Sequence, residues 1–261
     1  PKEKTISMTV GDIVFETSAV CPEARTVKSE LKQDGIGVKV HELMHALGMP
    51  DFYDTRSGST PVYGMDLFSI MDYGEYNNYS YSPTGLTAYE RDFLGWRPLT
   101  TINTAGTYAL QPSGATGATG YKVVNDLNPD EYYVLEYRDN VGNDQFLSRY
   151  AAGMTVTHVD YNAQRWNNNT INTEPAHQRV TLLPAAGDRI GVGWVNSSTQ
   201  QTYYADLAHV PFPGEGKVDS LTNHNPVYPA TTFTGGFMSK PVYNICHDAT
   251  AQTVTFDFLV P

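Results

Sequence analysis

The sequence predicts an α+β chain, with a hairpin and two short helices within residues 1–99 and a mostly antiparallel β-sandwich or barrel over residues 100–261. Three observations carry this. Helical periodicity occurs twice, and only before Pro98. Beyond that proline come short runs of β-branched and aromatic residues separated by turn formers. Finally, 22 Gly, 16 Pro and 18 Tyr among 261 residues, with only 17% charged, is the make-up of a turn-rich extracellular chain.

Residues 5–10 and 13–17 alternate apolar and polar side chains around Gly11-Asp12, a two-residue turn that predicts an opening hairpin. Its second strand leads toward the next element and could offer an edge to an extended peptide. Residues 38–47 form the first helix, with Val40, Leu43, Met44 and Leu47 spaced by three and four, and Gly48 and Pro50 as the stop. A second helix is signalled by Ser82 as N-cap, Pro83 at the first position, the stripe Leu86, Tyr89 and Phe93, and Gly95 at the end. Residues 111–120, rich in Gly, Ala, Ser and Thr, read as a loop. Strands are expected at 121–125, 131–137, 153–161, 179–183 and 253–260. No fixed-period repeat is found, which removes solenoids and propellers.

A chain with 40% hydrophobic residues buries one sizeable core or two modest ones. No run approaches the roughly 18 apolar residues of a membrane-spanning helix. With 17 Lys and Arg against 28 Asp and Glu, a net charge of -11 and no basic run, nucleic acid and anionic membranes are poor partners. Two cysteines, Cys21 and Cys246, allow at most one bridge and no disulfide framework. The first residue is Pro1 and no charged-then-apolar leader follows, so a signal peptide, if one exists, lies upstream.

The chemistry concentrates in the first helix. His41 and His45 are four residues apart, about 400° of helical rotation, so both imidazoles share one face and can hold one Zn²⁺. Glu42 stands beside them, where a carboxylate can take a proton from an activated water and return it to a leaving amine. By composition, this pentapeptide arises by chance about once in a hundred such chains. Gly48 can reverse the chain and bring Asp51 back, giving His-Glu-x-x-His-x-x-Gly-x-x-Asp, whose chance expectation drops to about a few in a hundred thousand. His41, His45 and Asp51 are therefore the expected ligands, leaving a fourth position open for water. Asp54, Asp72, Glu75 and Glu90 are the other nearby acids that could supply the carboxylate, and Asp54 or Glu75 as an added fourth ligand would make a closed structural site instead.

Residues 36–96 contain His-Glu-Leu-Met-His-Ala-Leu-Gly-Met-Pro-Asp-Phe-Tyr-Asp, then Ser69-Ile70-Met71-Asp72-Tyr73-Gly74, then Leu-Thr-Ala-Tyr-Glu-Arg-Asp-Phe-Leu-Gly-Trp. This span closely resembles the immune inhibitor A family of secreted bacterial zinc metallopeptidases. The segments at 131–138, 153–161 and 177–183 resemble that family's β region more weakly. The resemblance implies a zincin-type catalytic portion, peptide or protein substrates, an extracellular location and calcium alongside zinc. It assigns Met71 to a hydrophobic floor under the metal and Tyr73 to the metal or the oxyanion. A specificity pocket would be shaped by the segment between Asp54 and Tyr73. The rival reading is a catalytically silent module whose β half binds glycans or proteins.

Elsewhere, His158 and Asp160 alternate on one strand face, read as a hydrogen-bonded structural pair in preference to a second metal site. His177, His209, His224 and His247 have no ligand spacing. The run from Asn125 to Asp130 offers oxygen ligands suited to Ca²⁺ but lacks an EF-hand loop, and reads as a solvated turn.

Overall fold

The computed structural model describes residues 8–10, 13–15, 20–27, 29–56, 64–118, 120–150, 152–186, 194–196, 201–203, 207–225 and 229–260. The opening hairpin is present as β1 (Met8–Val10) and β2 (Ile13–Phe15), with Val10 facing Ile13. The outer ends of the expected strands, Thr17 included, lie outside the described residues. A second hairpin, unanticipated, follows as β3 (Ala24–Val27) and β4 (Glu30–Gln33).

Helix α1 (Ile36–Ala46) starts two residues earlier than its periodicity suggested. Gly37 explains the start. Its N–H bonds the Ser80 carbonyl at 2.9 Å, and a Cβ there would stand 2.0 Å from the Glu75 carbonyl oxygen, so only glycine lets the helix approach residues 75–80 this closely. The stop is as expected. Gly48 takes a φ of 93°, its N–H bonds His45 O at 2.9 Å and the Met49 N–H bonds Met44 O at 3.1 Å, the paired bonds of a Schellman ending.

Helix α2 is shorter than expected, Ala88–Phe93, and its N-cap is Thr87, not Ser82. Thr87 and Glu90 form a reciprocal capping box, a local signal stronger than Ser-Pro. The preceding residues are held extended from a distance. Asp144 Oδ1 accepts from the Thr84 hydroxyl at 3.0 Å and the Gly85 N–H at 2.8 Å, and buried Arg138 pairs with Asp144 at 2.7 Å while donating to Thr84 Oγ1. A buried carboxylate with four charge-assisted bonds outweighs the helix propensity of a few residues.

The β-rich remainder comprises β5 (Thr100–Thr101), β6 (Gly106–Leu110), β7 (Tyr121–Asn125), β8 (Asn128–Arg138), β9 (Gly153–Asp160), the short helix α3 (Ala163–Asn167), β10 (Val180–Leu182), β11 (Trp194–Asn196), β12 (Gln201–Tyr203), β13 (Val242–Asp248) and β14 (Thr253–Phe258). Five strands pair in the order β10-β9-β8-β7-β5, antiparallel except for β5 with β7. Three more pair antiparallel in the order β13-β14-β6. The protein is thus mixed α+β with mostly antiparallel sheets, and no sheet among the described residues closes into a barrel, which corrects that branch of the expectation.

Strand β9, and β8 from Glu131 onward, are buried on both faces. One face, with Tyr132, Val134 and Val159, joins Met44, Phe52, Met71 and Tyr89 in a cluster drawing on both sides of residue 100. The other, with Tyr133, Leu135, Met154 and Val156, joins Leu110, Ile245, Phe256 and Phe258 of the smaller sheet. Each such side chain contributes about 1.5–3 kcal/mol by leaving water. Cys21 and Cys246 are free thiols. Among the described residues no helix is long and apolar enough to cross a membrane.

Candidate metal centre

Helix α1 turns His41, Glu42 and His45 into one cleft of about 660 Å³. The Schellman reversal after it returns the chain through Pro50 to Asp51. Asp51 Oδ1 then lies 3.1 Å from His41 Nε2 and 3.1 Å from His45 Nε2. These three atoms fall within 4.8 Å of one another, the one such group of three His, Cys, Asp or Glu donors among the described residues.

The other ring nitrogens are already spent. His41 Nδ1 donates to the Ile70 carbonyl at 2.8 Å and His45 Nδ1 to the Met49 carbonyl at 2.7 Å. In a neutral imidazole this leaves Nε2 as a bare lone pair. Two lone pairs and a carboxylate oxygen therefore converge, and Asp51 Oδ1 is buried with no hydrogen-bond donor of its own. Three acceptors facing one point need a cation or added protons. The proton alternative is visible in the electrostatics. Burial opposes charge on His41, but its contact with Asp51 and the nearby Glu75 carboxylate overcome that and raise its pKa to about 9. His45 is raised against burial by the same carboxylate. Asp51 is held well below the usual carboxylate range, because the two imidazoles outweigh its burial. The donor set, two imidazoles and one carboxylate, fits Zn²⁺ in a site with an open position.

Three of the other four acids are committed elsewhere. Asp54 chelates the Arg56 guanidinium through both oxygens at 2.9 and 3.0 Å. Asp72 caps its own turn, accepting from the N–H groups of Met65, Asp66 and Tyr73. Glu90 serves the α2 capping box and Ser69. Glu75 lines the cleft as well, with Oε2 buried 3.8 Å from His41 Nδ1 and without a hydrogen-bond partner, and burial raises its pKa.

Met71 is fully buried and does not line the cleft; its carbonyl accepts from the Phe52 N–H at 2.7 Å, one residue after the Ile70 carbonyl that fixes His41. Tyr73 packs its ring on Tyr76 at 5.3 Å and is not among the side chains lining the cleft. The lining tyrosines are Tyr53 and Tyr76. None of the described residues between Asp54 and Tyr73 lines the cleft, and residues 57–63 of that segment are outside the description. The opposite wall comes from Trp166, Asn167 and Asn169, at the end of α3 and just beyond it. Sequence reasoning missed these, because a contact 118 residues away from Asp51 leaves no local pattern.

Outside the cleft, His158 and Asp160 do not pair with each other. His158 Nε2 meets Glu131 Oε1 at 2.9 Å, while Asp160 Oδ2 meets His177 Nε2 at 2.7 Å. In antiparallel register His158 sits across from Tyr133, which points it at Glu131 and Phe233 rather than along its own strand. The calcium expectation finds no support. Asn125 is bonded to Glu131, Thr234 and Leu127, Asp126 to Lys240, and Asn128 to Asp130 and Thr234, so these oxygens and amides serve the turn.

Residues 17–102 match the family described as immune inhibitor A peptidase M6, catalytic domain. No curated protein matches the chain.

Proposed function

We propose that this chain is a zinc-dependent endopeptidase, secreted or displayed at the cell surface, that hydrolyses peptide bonds of protein substrates, a reading supported by the match of residues 17–102 to the immune inhibitor A peptidase family. The observation that carries the reading is the convergence of His41 Nε2, His45 Nε2 and Asp51 Oδ1, with both Nδ1 hydrogens already donated and no hydrogen-bond donor for Asp51 Oδ1. His41, His45 and Asp51 are the residues that would hold the ion. Bound there, Zn²⁺ supplies Lewis acidity that makes water a nucleophile near neutral pH and polarises the scissile carbonyl.

The chain's own groups do the rest. Glu42, buried at the cleft wall beside His41, takes a proton onto its carboxylate from the attacking water and delivers it to the leaving nitrogen. The carbonyls of Ile70 and Met49 keep both imidazoles in the tautomer that presents Nε2 to the cleft. Aromatic walls from Tyr53, Tyr76 and Trp166 exclude water around a bound peptide. The resemblance gives Tyr73 the oxyanion role; the lining favours Tyr53 or Tyr76 as the hydroxyl that faces the substrate.

The test is elemental analysis of protein purified without chelator, with His45→Ala as control. About one zinc per chain, lost in the variant together with peptide cleavage, is the expected result. An equal zinc content in both proteins would remove the site from the α1 cleft.

A further inference from the structure

We propose that Asn169 is a positioning residue of the metal centre, whose side-chain amide decides which oxygen of Asp51 faces the two imidazoles. This rests on the reading of Asp51 as a ligand. Asn169 lies beyond the residues that match the peptidase family and 118 positions after its partner. Its side chain makes a two-point clamp. The Asp51 N–H donates to Asn169 Oδ1 at 2.7 Å, and Asn169 Nδ2 donates to Asp51 Oδ2 at 2.6 Å. The clamp occupies Oδ2, fixes the plane of the carboxylate, and leaves Oδ1 as the buried oxygen 3.1 Å from each Nε2. Only an amide supplies an acceptor and a donor side by side; a carboxylate lacks the donor and would repel Asp51 Oδ2.

The backbone at 169 makes a second, separate demand. Helix α3 ends in a Schellman motif, with the Asn169 N–H on Trp166 O at 3.1 Å and the Thr170 N–H on Arg165 O at 2.9 Å. Asn169 therefore sits in the left-handed region, φ 53°, where glycine is easiest and asparagine is next. Two further bonds hold this turn against the segment after Asp51, from Thr55 Oγ1 to Asn169 O at 2.8 Å and from Asn172 Nδ2 to Phe52 O at 2.7 Å. Glycine would satisfy the backbone alone, asparagine satisfies backbone and Asp51 together. The β-rich half of the chain thus contributes to the metal site as well as to the cleft wall.

The experiment measures zinc affinity by chelator competition, and the visible spectrum of the Co²⁺-loaded protein, on the full chain as wild type, Asn169→Gly and Asn169→Asp. Asn169→Gly keeps the turn and loses the amide, so zinc should bind about 10–100-fold more weakly, with displaced cobalt bands. Asn169→Asp should bind more weakly still, and it covers the case in which the glycine variant does not fold. Wild-type affinity and an unchanged cobalt spectrum in either folded variant would overturn the proposal. A wild-type chain that binds no zinc would overturn the metal reading itself, an outcome distinct from loss confined to the variants.

Discussion

The Ser69 hydroxyl donates to Glu90 Oε1 at 2.5 Å, joining the turn beneath the cleft to helix α2. The same hydroxyl accepts from the Met71 N–H at 3.0 Å, and between these two residues lies Ile70, whose carbonyl orients His41. Glu90 Oε2 meanwhile takes the Thr87 N–H at 2.6 Å. One buried carboxylate thus caps a helix and sets the turn that orients His41. Glu90→Ala should cost about 2–3 kcal/mol, from a lost cap and stranded buried donors. Urea unfolding would measure it. A variant as stable as wild type would show that the turn is held by other contacts.

Met71 has two readings, a floor for the ion and a plain member of the core. It is fully buried in the cluster with Phe52, Ile70 and Trp166. Met71→Ala should lose about 2–5 kcal/mol, whereas Met71→Leu, similar in volume, should lose less than about 1.5 kcal/mol. If packing is all, the leucine variant keeps its zinc affinity and its cleavage rate. A leucine variant that is stable yet binds zinc distinctly more weakly would assign the thioether a role at the metal.

Glu42 lines the cleft but is not one of the three converging donors. Glu42→Gln keeps the shape and removes the proton acceptor. Zinc stoichiometry should stay unchanged while kcat falls by about 10²–10⁴-fold, the usual worth of a general base. Both are read on one preparation by elemental analysis and a peptide cleavage assay. Cleavage at the wild-type rate would mean that the base is another group.

What could be read from the sequence was what is encoded locally. The helix carrying His41 and His45, its glycine stop and the return to Asp51 all lie within sixteen residues, 36–51, and follow from periodicity and one left-handed position. The start of α2 was misplaced because Ser82-Pro83 is a good local signal overruled by Asp144 and Arg138, about sixty residues away. The true cap, Thr87 with Glu90, was also local and could have been found. Strand β9 was legible as a strand, but not the partners of His158, which depend on register with β8 and on the 231–237 turn, nor those of Asp160, which are His177 and Arg179. The cleft wall was hidden for the same reason, since Trp166 and Asn169 reach Asp51 only through tertiary folding.

That 231–237 turn supplies the last prediction. Glu131 is buried and accepts from His158 Nε2 at 2.9 Å, the Phe233 N–H at 2.6 Å and the Thr234 N–H at 3.0 Å. Burial alone would push its pKa up; these donors overcome it and bring the value from 4.5 down to about 2. A carboxylate depressed in the folded state stabilises that state at pH values above its unfolded pKa. The contribution is lost as pH falls through the window from about 4.5 to about 2. It is on the order of 2 kcal/mol once solvent screening is allowed for. Glu131→Gln keeps an acceptor but has no charge to titrate, so its urea midpoint should be lower near neutral pH and should fall less steeply with acid. Parallel stability curves for the two proteins between pH 5 and pH 2, roughly that window, would mean that the turn is held without help from the Glu131 charge.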